Sequence, residues 1–461
     1  MKTNKLIGTK EFYMKMLAIA VPIMIQNGIT NFVGMLDNIM VGQIGTNQMS
    51  GVSIINQLIF VFNLCIFGGI SGAGIFSAQY YGQGNHEGVR FTFRFKLLIC
   101  AFITLIGAFV LSVFGENLIS LYIHSDGNPA GAEETMYYAK LYLRVMMFNL
   151  LPFALAQAYA GTLRECDDTL LPMKAGIIAV FVNLVFNYLL IYGKLGFPML
   201  GVVGAAIATV LSRIIEMLII IVYTHTHSTR HKFIKDAYKS LYIPSELRKN
   251  ILIKGTPLLL NEALWSAGQT ILLQNYSVRG LEVIAALNIS STISNVFNVV
   301  FISMGSSISI ILGQELGSGK PDVKEDSYKL AVFAVLACVF TGFLLAIAAP
   351  FFPQIYNTEE NVKELARNFI LIAAFFMPMY AYENAAYFTI RSGGKTFITF
   401  LFDSCFVWVF SIPLAFSLTH FTALPIIQIY IFCQLIELIK CIIGFNMVKS
   451  GFWINRLTEN F

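Results

Sequence analysis

Charge is what this sequence has least of. Only 12% of its 461 residues are Asp, Glu, Lys or Arg and 56% are hydrophobic, where a soluble domain carries about 25% charged residues. The deficit runs along the whole chain, and mean hydropathy is +0.69. That excludes an ordinary soluble globule and points to an all-α polytopic membrane protein. Other absences narrow the class further. The basic start "MKTNKLIGTKEFYMKM" leads into an apolar run with no small-residue cleavage site, so we read a retained first span rather than a signal peptide. None of the seven cysteines (Cys65, Cys100, Cys166, Cys338, Cys405, Cys433, Cys441) has C-x-x-C spacing, which leaves them as small packing residues. "RSGGKT" has Thr389 where a phosphate-binding loop needs glycine, and "GSGKP" lacks the Ser or Thr after its lysine. No loop is long enough to hold a nucleotide-driven pump domain. No nucleophile–base pair is recognisable, so an enzyme is not expected, and no cofactor is expected beyond a coupling ion.

What is present is a series of apolar runs. A bilayer core about 30 Å thick needs about 20 apolar residues per helix. Twelve runs qualify: 14–41, 50–79, 93–114, 135–163, 170–192, 202–224, 251–278, 284–314, 328–349, 365–390, 397–419 and 424–447. In hydrocarbon the backbone must satisfy its own hydrogen bonds, so helices are the expected form. The net charge of +5 resides in loops between these runs, which argues against a nucleic-acid partner. Arg90, Arg94 and Lys96 follow the second run. Arg230, Lys232, Lys235, Lys239, Arg248, Lys249 and Lys254 follow the sixth, and Lys320, Lys324 and Lys329 the eighth. The alternate loops are poor in Lys and Arg, and 115–134 is acidic through Glu116, Asp126, Glu133 and Glu134. The positive-inside rule then places the basic loops and both termini in the cytoplasm. His225, His227 and His231 fall in the long basic loop and read as part of a solvated linker, not a metal site.

The chain also repeats. Laying 22–85 over 257–320, an offset of 235, matches Pro22 with Pro257, Gly45 with Gly280 and Phe62-Asn63 with Phe297-Asn298. It also matches Gln79, Gly82 and Gly84 with Gln314, Gly317 and Gly319. A second pairing sets "TLRECDDT" (162–169) on "TIRSGGKT" (389–396) through Thr162, Arg164 and Thr169. Six spans separate the copies, so both cross the membrane in the same sense. The expected plan is two parallel six-helix lobes, 1–224 and 251–461, joined by a cytoplasmic basic linker, 225–250. Such a plan suits alternating access to a site between lobes.

Ionisable groups inside spans are expensive and therefore informative. An Asp at a helix centre costs about 2.5–3.5 kcal/mol on insertion scales. Asp37 continues a polar stripe of Asn27, Asn31 and Gly34. It reads either as a cation or proton site or as a carboxylate held near the outer headgroups. Asn183 and Asn187, four apart, share a helix face, and Thr209 can join them. Oxygens of this kind suit Na⁺, and equally serve as interhelical glue. Glu262 lies mid-span with Ser266 and Gln269 on its face. Glu383 follows Tyr380 and is a candidate to face a central cavity. Asp403 reads as a structural partner for Arg391 or Lys395, and Glu216 and Glu437 as packing residues. The offset pairs Glu262 with Asn27 and Asp37 with Leu272, so the acids are not repeat equivalents. No metal ion is expected except Na⁺ at Asp37.

Four segments carry a family likeness: "VPIMIQNGITNFVGMLDNIMVGQIG", "GTLRECDDTLLPM", "NYLLIYGKLGFPMLGVVGAAIATVLSR" and "IRSGGKTFITFLFDSCFVWVFSIPLAF". They resemble the multidrug and toxic compound extrusion (MATE) family along nearly the whole chain. The resemblance implies a V-shaped transporter of two six-helix lobes. It would be an antiporter exporting cationic or amphipathic organic compounds in exchange for Na⁺ or H⁺, and is expected as a monomer. It implies that Asp37 is the cation-site carboxylate of the N-terminal lobe, with Asn183 and Thr209 as polar ligands. Asn187 stands where some members have a second aspartate, which weakens a Na⁺ site by one charge. Glu262 matches the span-seven glutamate of drug-exporting branches. Their span-ten aspartate has no match, though Glu383 lies close by. The alternative is a lipid or lipid-linked oligosaccharide flippase of the same superfamily. The apparent absence of basic residues from the spans favours drug export.

Overall fold

The computed structural model describes residues 8–123 and 129–459, and among these every regular element is helical. Twelve long helical segments follow one another. They are α1 (Lys10–Gly42), α2 (Thr46–Gly82), α3 (His86–Ser120), α4 (Pro129–Met146 and Leu150–Glu165, joined by a 3-10 turn), α5 (Leu170–Tyr192) and α6 (Val202–Thr226). Then come α7 (Ser245–Ser277), α8 (Leu281–Ser318), α9 (Val323–Ala348), α10 (Glu360–Ser392), α11 (Thr396–Phe421) and α12 (Ile426–Leu435 and Glu437–Ser450). Each lies over one of the twelve apolar runs. Among the described residues eleven are long and apolar enough to cross a membrane. The exception is α7, whose Arg248, Lys249, Lys254, Asn261, Glu262 and Gln269 dilute its apolar content. Asp126 of the acidic loop lies outside the described residues.

The helices outrun the apolar runs, because an α-helix can continue where headgroups and water meet its polar side chains. This corrects the placement of one cationic group. α3 starts at His86, seven residues before its apolar run, so Arg90, Arg94 and Lys96 are all helical rather than loop residues, and Arg94 and Lys96 are buried. α11 departs from regular geometry: two π-helical stretches, Leu401–Cys405 and Val407–Ser411, run through its first half. Such widened turns concentrate at functional positions.

The chain forms two compact units. One comprises Ile25–Ser77 and His86–Lys249, the other Met1–Met24, Ala78–Asn85 and Asn250–Phe461. The core of the first gathers Val52, Ile55 and Ile66 of α2, Leu111 of α3, Met146 and Ala154 of α4, and Val202 and Ala206 of α6. The linker belongs to this unit; its charged residues are largely exposed, as expected, but it is anchored by a buried apolar side. Phe233, Ile234 and Ala237 are buried, and the Arg94 guanidinium donates to the carbonyls of Ala237 (2.7 Å), Asp236 (2.8 Å) and Tyr242 (3.1 Å). His231 is 3% exposed, and burial pushes its imidazole below the ordinary histidine value.

In the second unit Met16, Ile19 and Ile23 of α1 pack with Ile308, Ile311 and Leu316 of α8, Ala386 and Ile390 of α10, and Trp453. The repeated Gln-x-x-Gly motifs meet here. A Cβ added to Gly82 would lie 2.0 Å from the Gln314 carbonyl oxygen, and one added to Gly317 would lie 2.0 Å from that of Gln79. Each glycine thus receives the backbone of the other copy's glutamine, a small-residue helix crossing. The Gln79 amide donates to the Ser392 and Asn455 carbonyls (3.1 Å each) and accepts from the Leu457 N–H (2.8 Å).

Candidate functional site

Four residues that the sequence singled out converge in the first unit. Asp37 of α1, Asn183 and Asn187 of α5, and Thr209 of α6 are joined by side-chain contacts. The Asn187 amide donates to Asp37 Oδ1 (2.6 Å) and to Asn183 Oδ1 (3.1 Å), and Asn183 Nδ2 donates to Thr209 Oγ1 (3.4 Å). Gly34, Asp37, Val41, Val52, Asn56, Tyr142, Asn187, Ala205 and Thr209 line a cavity of about 240 Å³. Tyr142, whose hydroxyl donates to Asn56 Oδ1 (3.3 Å), ties α4 to α2 at its edge. Arg213, one turn beyond Thr209 on α6, is the cation acting on Asp37, while its own guanidinium pairs with the buried Glu216 (2.7 Å).

The polar atoms here do not satisfy one another in either orientation of the Asn183 amide. With its oxygen turned inward, Asn183 accepts from Asn187, but that oxygen stands 2.9 and 3.2 Å from the two Asp37 oxygens. With its nitrogen turned inward it donates to Asp37 but opposes the Asn187 NH₂ at 3.1 Å. Asn187 Oδ1 is buried with no hydrogen-bond partner. A proton on Asp37 relieves the first conflict. A small cation shared by Asp37 and the Asn183 oxygen would relieve it too. The donor set is all oxygen and carries one formal charge, so it fits a proton or a monovalent hard cation.

The second candidate set does not form one constellation. Glu262 of α7 is half-buried and has no ion-pair partner among the described residues; Ser266 is half-buried and Gln269 exposed. Tyr380 of α10 donates to Gln434 of α12. Glu383, one turn from Tyr380, joins a different group, centred on a residue that sequence reasoning missed. Lys440 of α12 is 6% exposed, and its ammonium is 2.9 Å from Asp403, 3.7 Å from Glu437 and 3.9 Å from Glu383. This corrects two expectations: Asp403 pairs with Lys440 rather than Arg391 or Lys395, and Glu437 belongs to an ion cluster rather than to plain packing. Asn261 braces the group, donating to Asp403 Oδ2 (3.0 Å) and accepting from the Ser404 hydroxyl (2.7 Å). The signal was available in "ELIK", an acid and a lysine three apart within an apolar run.

A further buried pair lies in the first unit. Lys96 of α3 is fully buried, donating to Glu165 and to Thr162 Oγ1 (3.1 Å) of α4. The spans therefore contain buried lysines, contrary to the reading that they lack basic residues, and both are matched by carboxylates.

Twelve long helices, eleven of them apolar enough to span a membrane among the described residues, an internal doubling and carboxylates set into the helices point to a multi-pass membrane transporter. The MatE family model matches residues 22–189 and 257–417, one match in each half, and the chain belongs to that family. It is 24% identical over 448 residues to a probable multidrug resistance protein NorM of Thermotoga maritima, covering 97% of this chain and 94% of that one. It is 25% identical over 416 residues to a probable multidrug resistance protein YoeA of Bacillus subtilis, covering 89% of this chain and 88% of that one. A multidrug resistance MATE family transporter solved in an outward-facing conformation superposes with a TM-score of 0.83 at 18% identity, over 95% of this chain and 94% of that one.

Proposed function

We propose that the chain is a secondary antiporter of the inner (plasma) membrane that exports cationic or amphipathic organic compounds in exchange for Na⁺ or H⁺, with both termini cytoplasmic. The observation that carries the reading is the Asp37 site: a span carboxylate is gathered with the Asn183 and Asn187 amides and Thr209 at a cavity, a polar group whose one formal charge a proton or a monovalent cation would balance. A cation held there neutralises a charge that the bilayer penalises, and its release to one side returns the cost. That difference is what couples an ion gradient to a change of state. The relatives named as multidrug resistance proteins support drugs as the exported class.

Proteoliposomes loaded with a fluorescent cationic dye, under separately imposed Na⁺ and pH gradients, test this. Wild-type protein should move dye under at least one gradient, and Asp37→Asn should lower the rate at least tenfold at equal incorporation. Gradient-driven transport that persists in Asp37→Asn would remove Asp37 from coupling.

A further inference from the structure

The two buried carboxylate sites differ in what faces the acids. At Asp37 the neighbours are neutral amides: Asn187 donates to Asp37 Oδ1 (2.6 Å), Asn183 lies against both carboxylate oxygens, and among the described residues no ammonium or guanidinium forms an ion pair with Asp37. Around Lys440 every acid is met by hydrogen-bond donors. Asp403 receives Lys440 (2.9 Å) and Asn261 Nδ2 (3.0 Å). Glu437 receives the Ser411 hydroxyl (2.9 Å) with Lys440 at 3.7 Å. Glu383 receives the Cys441 thiol (3.7 Å) with Lys440 at 3.9 Å. The Asn261 oxygen, the one amide oxygen in the group, is occupied by Ser404.

A metal ion needs lone pairs turned towards it, not N–H and O–H groups, and it must not share its place with another positive charge. We infer that Lys440 is the resident, tethered cation of this cluster, and that it closes Asp403, Glu437 and Glu383 to alkali-metal ions, so that Na⁺ acts at Asp37 and not at these three acids. Lys440 is then a specificity determinant: it decides which ion the C-terminal half can take without itself binding substrate. The inference deepens the antiporter reading, but its test reads ion binding and does not depend on transport.

The measurement is Na⁺-specific thermal stabilisation of the purified full-length protein in detergent, titrating NaCl against choline chloride at constant ionic strength. Asp37→Asn should abolish any Na⁺ response of the wild type, while Asp403→Asn and Glu437→Gln should leave its half-saturating Na⁺ within about twofold. In the Asp37→Asn background, Lys440→Met should create a Na⁺ response with at least tenfold lower half-saturation than the background, and Lys440→Arg should not. If Lys440→Met does not fold, Lys440→Gln carries the same expectation. Loss of the wild-type Na⁺ response in Asp403→Asn would overturn the inference. So would a Na⁺ response in Asp37→Asn that Asp403→Asn removes, or a folded Lys440→Met or Lys440→Gln double variant indifferent to Na⁺. A wild type without any Na⁺ response upholds the closed cluster and turns the coupling ion at Asp37 to H⁺, which the transport assay under a pH gradient then decides.

Discussion

At Asn187 a single atom would set how strongly the proposed N-terminal cation site holds a metal ion. Its amide nitrogen reaches Asp37 at 2.6 Å, so its side chain already stands at ligand distance from the carboxylate. Replacing that amide by a carboxylate adds a formal charge and removes the donated hydrogen bond. Two carboxylates so close cannot both stay ionised unless a cation or proton lies between them. Asn187→Asp should therefore bind Na⁺ at least tenfold more tightly than wild type at alkaline pH, read as a fall in the Na⁺ concentration giving half-maximal transport or stabilisation. Asn187→Ala should move it the other way. An unchanged Na⁺ requirement in Asn187→Asp would take that residue out of the site.

Among the elements, the α2–α8 crossing shows why the Gln-x-x-Gly motif occurs twice. Gly82 and Gly317 each sit 2.0 Å, measured from an added Cβ, from a carbonyl oxygen of the other helix. A carbonyl cannot swing aside as a side-chain tip can, so any larger residue must push the backbones apart. Overpacking costs typically about 1–3 kcal/mol where side chains can adjust. Gly82→Val and Gly317→Val should each exceed that range and lower the thermal midpoint by several degrees or abolish monodisperse protein. Gly28→Ala, which meets nothing within 4 Å, should be neutral. A Gly82→Val protein as stable as wild type would show that the helices do not cross this closely. The motif was legible in the sequence as a repeat; its packing against its own copy was not, because a repeat gives equivalence and not contact. The same distinction runs through the site. Asp37, Asn183, Asn187 and Thr209 were legible because polar residues stand out against apolar runs. Lys440, Asp403 and Asn261 were misassigned or passed over, because their partners lie 37 and 142 residues apart in the chain. Lys96 was hidden for another reason: it lies within the third apolar run, but its charge grouped it with Arg90 and Arg94 as part of the preceding loop.

For the whole molecule, the doubling supplies the frame and the acids break its symmetry. Leu272 stands where Asp37 would repeat, and Asn27 where Glu262 would, so neither carboxylate is needed to build six helices. Orientation is a property of the same frame. The basic residues of the linker and of the α2–α3 and α8–α9 connections fall on alternate turns, which the positive-inside rule assigns to the cytoplasm. The linker is also fixed to this frame: Arg94 holds three of its carbonyls, and Phe233 and Ile234 are buried in the same unit. Alkaline phosphatase, active only outside the cytoplasm, should be silent when fused after Tyr242 in the linker and active when fused after Gly196, between α5 and α6. Arg94→Ala should loosen the linker, read as faster proteolysis between α6 and α7 in inside-out vesicles, without changing either fusion result. The reverse pattern of phosphatase activity would invert the chain, turn the Asp37 end of α1 towards the cytoplasm, and require the coupling gradient to be read in the opposite sense.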